Sequence, residues 1–398
     1  MYTKNPSLYI HIPYCFSKCS YCDFFSVATY AVQSVPSVYV DALICEIQNL
    51  VKEKNISKFY SVYFGGGTPS LLSENQVEKI MKVVRSYISV ECEVTFELNC
   101  DDISPSYLLA LYKSGVNRFS VGIQSLNEKT LKCISRRANS FQTVQAIKTL
   151  SAFSAEYPVR ASVDFIAGLP YQTKEDLVHD LDFAIKNGIE HISLYALTLE
   201  ENSRLFKEID SGKIPYDESN TDEIWIYGRD FLFQNGFLQY EISNFCKNGK
   251  KSLHNSLYWK GLDYFGVGAA SVSSEYSVDG KNCVRTTLTH NIKAYIDFWI
   301  STDNADIADI EKISEKEILD EKKVMFEYLM TSFRTMDGVD ENVFYKRFGK
   351  NVADFLPKNA EKLIEQGKLI KKEHSYKLSP EEMLFLNQFL IDVLDKFD

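Results

Sequence analysis

The chain alternates between two hydrophobic rhythms. From residue 7 to about 245, short runs rich in β-branched and aromatic residues are each followed by a longer stretch with helical spacing of apolar positions. The runs are SLYIHIP, FYSVYFGG, EVTFELN, RFSVGIQS, RASVDFIAGLP and HISLYALTLE. The spacing between them predicts helices near 37–53, 73–88, 104–114, 140–153, 173–187 and 219–235. Gly115, Gly188 and Gly236 each stand between a helical stretch and the next run, where a left-handed residue closes a helix. Repeated βα units imply parallel strands joined by right-handed crossovers. Six units make a barrel or an incomplete one, because the full (β/α)8 form needs eight. The expected class is α/β. Several polar residues fall at the carboxyl ends of the runs: Cys15, the GGGTPS segment at 65–70, Glu97, Gln124 and Asp164. In parallel barrels that end carries the active site.

The rhythm changes after 245. Residues 246–307, including CKNGKKSLHNSLYWKGLDYFGVGAASVS, have no clear period and read as a loop-rich segment over the barrel mouth. Residues 308–398 read as helical and charged. SEKEILDEKKVMFEYLMTSF has an amphipathic helix period. The remainder reads as helices with a short β-hairpin around Lys368–Leu378, an order that suits a small winged-helix-like domain. The expected division is therefore 1–245, 246–307 and 308–398.

Charge and composition narrow the function. The 398 residues carry a net charge of −10 and no basic run, which argues against nucleic acid as the main partner. No secretory h-region and no span of about twenty apolar residues appears. The nine cysteines are irregularly spaced, unlike a secreted disulfide framework, and point to a cytoplasmic chain with reduced thiols.

Three of those thiols lie within eight positions: Cys15, Cys19 and Cys22, in C-x3-C-x2-C. A structural zinc site closes with four Cys or His ligands, and no fourth follows at a typical spacing. His11 lies four residues before Cys15, on the preceding run and away from the loop. A [4Fe–4S] cluster takes four attachment points, so three cysteines would leave one iron open. An open position on a metal usually serves chemistry rather than scaffolding.

This spacing, followed by an aromatic-rich loop, resembles the radical S-adenosylmethionine (SAM) superfamily. The resemblance implies an incomplete (β/α)6 barrel, a [4Fe–4S] cluster on Cys15, Cys19 and Cys22, and SAM bound at the open iron. In that family one electron cleaves SAM to a 5′-deoxyadenosyl radical. The glycines of YFGGGTPS let backbone groups approach a ligand closely. Other positions resemble the branch that includes oxygen-independent coproporphyrinogen III oxidase. They imply SAM contacts from Tyr9 in YIHIPYC, Gly66, Gly67 and Thr68 in GGGTP, and Glu97 in TFELN. Gln124 in VGIQS, Arg136 in ISRRAN and Asp164 in VDFIAGLP complete the set. Ala167 departs from relatives that often carry a bulkier residue there.

Two features choose within the branch. The oxidases resemble C-x3-C-x2-C-x-C and carry a longer leading segment. Here Phe24 takes the place of the extra cysteine, and fourteen residues precede Cys15. HNSLYW, His254–Trp259, is similar to the H-N-x-x-Y-W signature of HemW-type heme chaperones. A neutral imidazole is a common axial ligand of heme iron, so the resemblance implies heme contact at His254. The expected function is a heme chaperone that passes heme to an acceptor protein, which leaves room for peripheral contact with a membrane-bound acceptor. The competing expectations are the coproporphyrinogen III oxidase of porphyrin biosynthesis and an iron–sulfur protein without SAM. Cys45, Cys92, Cys100, Cys133, Cys246 and Cys283 share no ligand spacing and read as free core thiols.

Overall fold

The computed structural model describes residues 5–29, 34–301 and 307–397. Six parallel strands form the centre: β1 (Ser7–Ile12), β2 (Phe59–Gly66), β3 (Ile88–Asn99), β4 (Arg118–Gln124), β5 (Arg160–Ala167) and β6 (His191–Ala196). They pair in chain order. The helices between and after them are α1 (Ser37–Glu53), α2 (Glu74–Val84), α3 (Pro105–Lys113), α4 (Ser140–Glu156), α5 (Lys174–Lys186) and α6 (Ser219–Gln234). All six expected βα units are present. Ser73, Asn139 and Thr173 open α2, α4 and α5 with capping boxes, each satisfying two otherwise orphaned N–H groups. Gly115, Gly188 and Gly236 all have positive φ.

The sheet does not close. On one side, Tyr264–Val267 pairs parallel to β1, and Val272–Tyr276, Cys283–Leu288 and Ser314–Leu319 extend that edge as antiparallel strands. On the other side, β6 is followed by Asn244–Cys246 and Leu238–Gln239, both antiparallel to their neighbours. The result is an open twelve-stranded sheet whose curved centre is an incomplete (β/α)6 barrel.

Two expectations need correction. The segment 246–307, expected to be loop-rich, carries a helix (Leu253–Trp259) and three of the added strands. These strands are short, and edge strands tolerate polar residues facing solvent, so period alone does not reveal them. The helix packs under the amino-terminal ends of the barrel strands rather than over the mouth, as its contacts with Ser61 and Glu93 show. Further on, the helix expected to begin at SEKEIL starts later. Ser314–Leu319 is instead the sheet's edge strand, paired along its whole length with Cys283–Leu288. Asp320 then caps a helix at Glu321–Ser332.

The strands place their apolar residues outward. Leu8, Ile10, Val62, Phe64, Val94, Phe96, Phe119, Val121, Ile192 and Leu194 are buried in one core shared with Tyr39, Leu43, Ile80, Leu108 and Leu150 of the helices. Each such side chain contributes roughly 1.5–3 kcal/mol by leaving water. A second core gathers Cys283 and residues from Leu319 to Phe397. It joins helices, including Glu341–Phe348 and Leu386–Leu394, to a three-stranded sheet containing the expected hairpin, Leu369–Lys372 and Ser375–Leu378. This is the winged-helix-like domain.

Candidate functional site

The site begins where β1 ends. Tyr14–Cys15 pairs with Val27–Ala28, so the cysteine loop is pinched at its base. Val27 N–H donates to Pro13 O at 2.9 Å and Thr29 N–H to Cys15 O at 2.8 Å. The glycine loop after β2 is stitched to the same strand: Gly67 N–H donates to Ile12 O and Thr68 N–H to Tyr14 O, both at 2.8 Å. Gly66 has φ +110°, and a Cβ there would sit 2.6 Å from the His11 imidazole. A Cβ on Gly67 would lie 2.7 Å from Tyr14 O. The glycines thus let the loop lie flat against the cysteine strand, and this closeness brings Thr68 to the thiols.

Cys15 is buried, and Cys19 and Cys22 are partly exposed. All three are free thiols. Thr68 Oγ1–H points at Cys15 Sγ at 3.3 Å, and Arg136 Nη1–H at Cys19 Sγ at 3.6 Å. Arg136 also donates to Gly122 O. Burial opposes the charge of this guanidinium, but Tyr21, Cys19 and Cys100 around it outweigh that cost and hold it protonated. Among the described residues, no three His, Cys, Asp or Glu groups converge on a point suited to one ion. Three cysteine thiols on one loop are the donor type that a [4Fe–4S] cluster takes. Phe24, in the place of the oxidases' extra cysteine, is 71% exposed.

Below the loop the barrel interior is polar. Strand register aligns Ser7 with Ser61, Tyr9 with Tyr63 and His11 with Gly65. It likewise aligns Glu97 with Ser120 and Asp164 with Ser193. Glu97 Oε1 accepts from Tyr63 Oη–H at 2.6 Å, and burial pushes its carboxyl up to about 7. Asp164 accepts from Ser120 Oγ–H at 3.2 Å, and burial raises it too. Tyr9 stacks on Tyr63, and its hydroxyl meets His11 Nδ1 at 3.0 Å. Gln124 takes φ +68° at a register shift in β4. A Cβ on Gly122 would lie 2.7 Å from its amide nitrogen. The structure therefore brings Cys15, Cys19, Cys22, Gly66, Gly67, Thr68, Gln124 and Arg136 to the carboxyl ends of the strands. Tyr9, Glu97 and Asp164 lie inside the barrel beneath them.

His254 is elsewhere. Its Nδ1 meets Ser61 Oγ at 2.8 Å, at the amino-terminal end of β2, and Ser61 in turn donates to Ser7. From Ser61 to Gly66 is ~17 Å of strand at ~3.3 Å per residue. The imidazole stacks on Tyr63 at 4.8 Å, is 2% exposed, and is pushed down to about 3 by burial. It is a neutral plug in the bottom of the barrel. Glu93 seats the helix that carries it. Its carboxylate, fully buried, accepts from the backbone N–H groups of Leu253 and His254, both at 2.9 Å, and from Ser252 Oγ–H at 3.3 Å. Arg160 pairs with it at 2.7 Å. Burial would push this carboxyl up; Arg118, Arg160 and the two amides outweigh burial and hold it below the usual range.

The sequence reading missed Glu93, Arg118 and Tyr63, and weighed His11 only as a metal ligand. The signal was there: Ser7-Tyr9-His11, Ser61-Tyr63-Gly65, Glu93-Thr95-Glu97-Asn99 and Arg118-Ser120-Gly122 alternate with Leu, Ile, Val and Phe. Interiors of complete barrels are dominated by Val, Ile and Leu, so polar inward positions mark a lumen built for something other than packing. The six other cysteines form no disulfide; Cys246 pairs in the sheet with His191.

Residues 9–184 match the radical SAM superfamily, and residues 319–385 match the HemN C-terminal domain. Heme chaperone HemW of Buchnera aphidicola subsp. Schizaphis graminum is 32% identical, over 98% of both chains. The chain belongs to the HemW family of radical SAM proteins. Heme chaperone HemW of Bacillus subtilis is 29% identical, over 96% of this chain and 97% of that one. The solved coproporphyrinogen III oxidase (HemN) of Escherichia coli shares the fold, with TM-score 0.79 at 19% identity, covering 98% of this HemW-family chain and 90% of its own. The superfamily implies SAM and a [4Fe–4S] cluster, which together supply one-electron cleavage chemistry when bound. This chain's own residues present three thiols, aim Thr68 at Cys15 and Arg136 at Cys19, and place the buried carboxyl groups of Glu97 and Asp164 below. No helix among the described residues is long and apolar enough to cross a membrane.

Proposed function

We propose that this protein is a heme chaperone that binds heme and transfers it to an acceptor protein. A cluster on Cys15, Cys19 and Cys22 belongs to that reading, as does SAM held near Tyr9, Gly66, Gly67, Thr68, Glu97, Gln124, Arg136 and Asp164. The observation that carries it is similarity along nearly the whole chain to proteins named as heme chaperones, including the segment that holds HNSLYW. Phe24, where the oxidases carry a fourth cysteine, supports the same choice. The likeness to the solved oxidase speaks for the fold alone. His254 enters this reading through the helix it anchors, because its side chain faces the barrel. The protein acts as a cytoplasmic carrier whose acceptor is soluble or reached at a membrane surface.

The test is hemin titration of the purified, cluster-loaded protein, followed by mixing with an apo-heme protein. One equivalent bound and then handed over is the expected result. Absence of stoichiometric binding refutes the proposal.

A further inference from the structure

The cysteine loop is held from several sides. Its base is the pairing of Tyr14–Cys15 with Val27–Ala28. Its middle is tied at Ser20, whose N–H donates to Ile134 O at 3.0 Å and whose carbonyl accepts from Leu205 N–H at 2.8 Å. Another hold falls on Phe16, one residue past Cys15. The Arg137 guanidinium stands over its ring, 4.9 Å from the centroid. Arg137 is anchored in turn. Its Nε donates to Asp101 Oδ2 and its Nη2 to Asp102 Oδ1. Both carboxylates lie on the turn Cys100–Asp102, directly after β3.

That turn reaches the same loop by a second route. Asp102 uses its other oxygen to accept from Ser70 Oγ–H at 2.7 Å, and Ser70 Oγ accepts from Asn99 N–H at 3.2 Å. Asn99 Nδ2–H donates to Thr68 Oγ1 at 3.2 Å, and Thr68 Oγ1–H points at Cys15 Sγ. The end of β3 thus ties the glycine loop and the cysteine loop together. Exposed ion pairs contribute little, because water competes and long side chains lose freedom. Here the side chains of Asp101 and Asp102 are only 8% and 15% exposed. One planar fork spans both, and its cation stands over an aromatic ring. The contact is therefore rigid.

We propose that Arg137 is a positioning residue of the iron–sulfur site: clamped on Asp101 and Asp102, it holds Phe16 and so fixes how Cys15 and Cys19 present their sulfurs, while its charge favours the reduced state of what they bind. The proposal rests on the reading of Cys15, Cys19 and Cys22 as cluster ligands. Arg136 and Arg137 then act on the loop from adjacent positions. Arg136 aims a donor at Cys19 Sγ, and Arg137 sets the backbone between the two cysteines through the ring. Burial pushes the Arg137 guanidinium down from its ordinary value, whereas Cys15 and Cys19 lie close enough to raise it. A cation that feels two of the thiols is felt by their ligand, and charge at a cluster is one of the levers on its potential. Groups that orient metal ligands from behind typically cost about 10–100-fold in metal affinity when lost.

The experiment compares Arg137→Lys and Arg137→Gln with wild type in the full chain, reconstituted anaerobically with iron and sulfide. Two quantities are read: the rate of iron loss to a chelator, and the midpoint potential from a redox titration followed by electron paramagnetic resonance. Lysine keeps the charge but cannot span both carboxylates with one fork. Both variants should lose iron about tenfold faster. Only Arg137→Gln should move the potential to more negative values, because it removes a positive charge and leaves two carboxylates facing the loop. Phe16→Leu should also speed iron loss, and adding it to Arg137→Gln should cost little more, since the two changes break one contact. Asp101→Asn, which keeps the arginine, repeats the iron measurement should a change at 137 unfold the chain. Wild type that takes up no cluster overturns the reading of the three thiols. Wild type that takes one up, with iron loss unchanged in the variants, additive losses in the double variant, or one potential shared by wild type and Arg137→Gln, overturns the role of Arg137 and leaves that reading standing.

Discussion

Glu93 is the keystone of the helix that carries HNSLYW, and Glu93→Gln tests that role with little change of shape. The carboxylate accepts four bonds: from Leu253 and His254 N–H, Ser252 Oγ–H and Arg160. An amide has one acceptor oxygen, and its NH2 would face a donor on the other side. Hydrogen bonds to a charged group are worth roughly 1.5–3 kcal/mol each. Arg118, also buried, would lose an opposing charge. Breaking a buried pair typically costs ~3–5 kcal/mol. The expected loss is therefore about 3–5 kcal/mol, a large part of the ~5–15 kcal/mol that holds a typical domain. Urea unfolding at neutral pH measures it, and hydrogen exchange at the Leu253 and His254 amides should quicken before global unfolding. The pH dependence has a definite sign. The folded carboxyl lies below its unfolded value, so its contribution is complete above the unfolded pKa and fades as pH falls through the folded one. The gap between wild type and variant should close in acid. A Glu93→Gln protein within ~0.5 kcal/mol of wild type, with unchanged exchange at those amides, would refute the reasoning.

Further outcomes follow from the same geometry. Gly66→Ala forces a side chain into φ +110° and against His11 at 2.6 Å; strain of ~1–3 kcal/mol should move the glycine loop, and SAM affinity and iron content should both drop. Wild-type iron content in that variant would contradict the tight seating of the loop. Glu97 carries a carboxyl raised to about 7. Between its unfolded value and 7 the unfolded chain holds fewer protons, so stability falls as pH rises through that window. In the cofactor-free protein, Glu97→Gln should flatten that fall, read by thermal melts from about pH 4.5 to 8, while weakening SAM binding measured by calorimetry. Arg136→Lys keeps charge but cannot reach both Gly122 O and Cys19 from one planar fork; iron retained after desalting should fall severalfold.

The barrel is readable because its two rhythms are strong and its punctuation is chemical. Glycines end α3, α5 and α6 at the expected places, and capping boxes open α2, α4 and α5. The cluster end is readable because C-x3-C-x2-C and GGGTP are local in sequence. The rest depends on distant pairs. Nothing near Glu93 signals that it will meet Leu253 and His254, 160 and 161 positions away. The resemblance implies heme contact at His254 but no direction, and the helix turns its histidine inward and its tryptophan toward the C-terminal domain. Ser314–Leu319 reads as helix because its charges belong to an edge strand, where exposed positions carry no apolar alternation.

The central claim is that this radical SAM scaffold carries heme and does not make its precursor. Cluster-loaded protein incubated anaerobically with SAM, a low-potential reductant and coproporphyrinogen III should yield no protoporphyrinogen while binding one equivalent of added heme. Turnover of coproporphyrinogen to protoporphyrinogen would contradict the account.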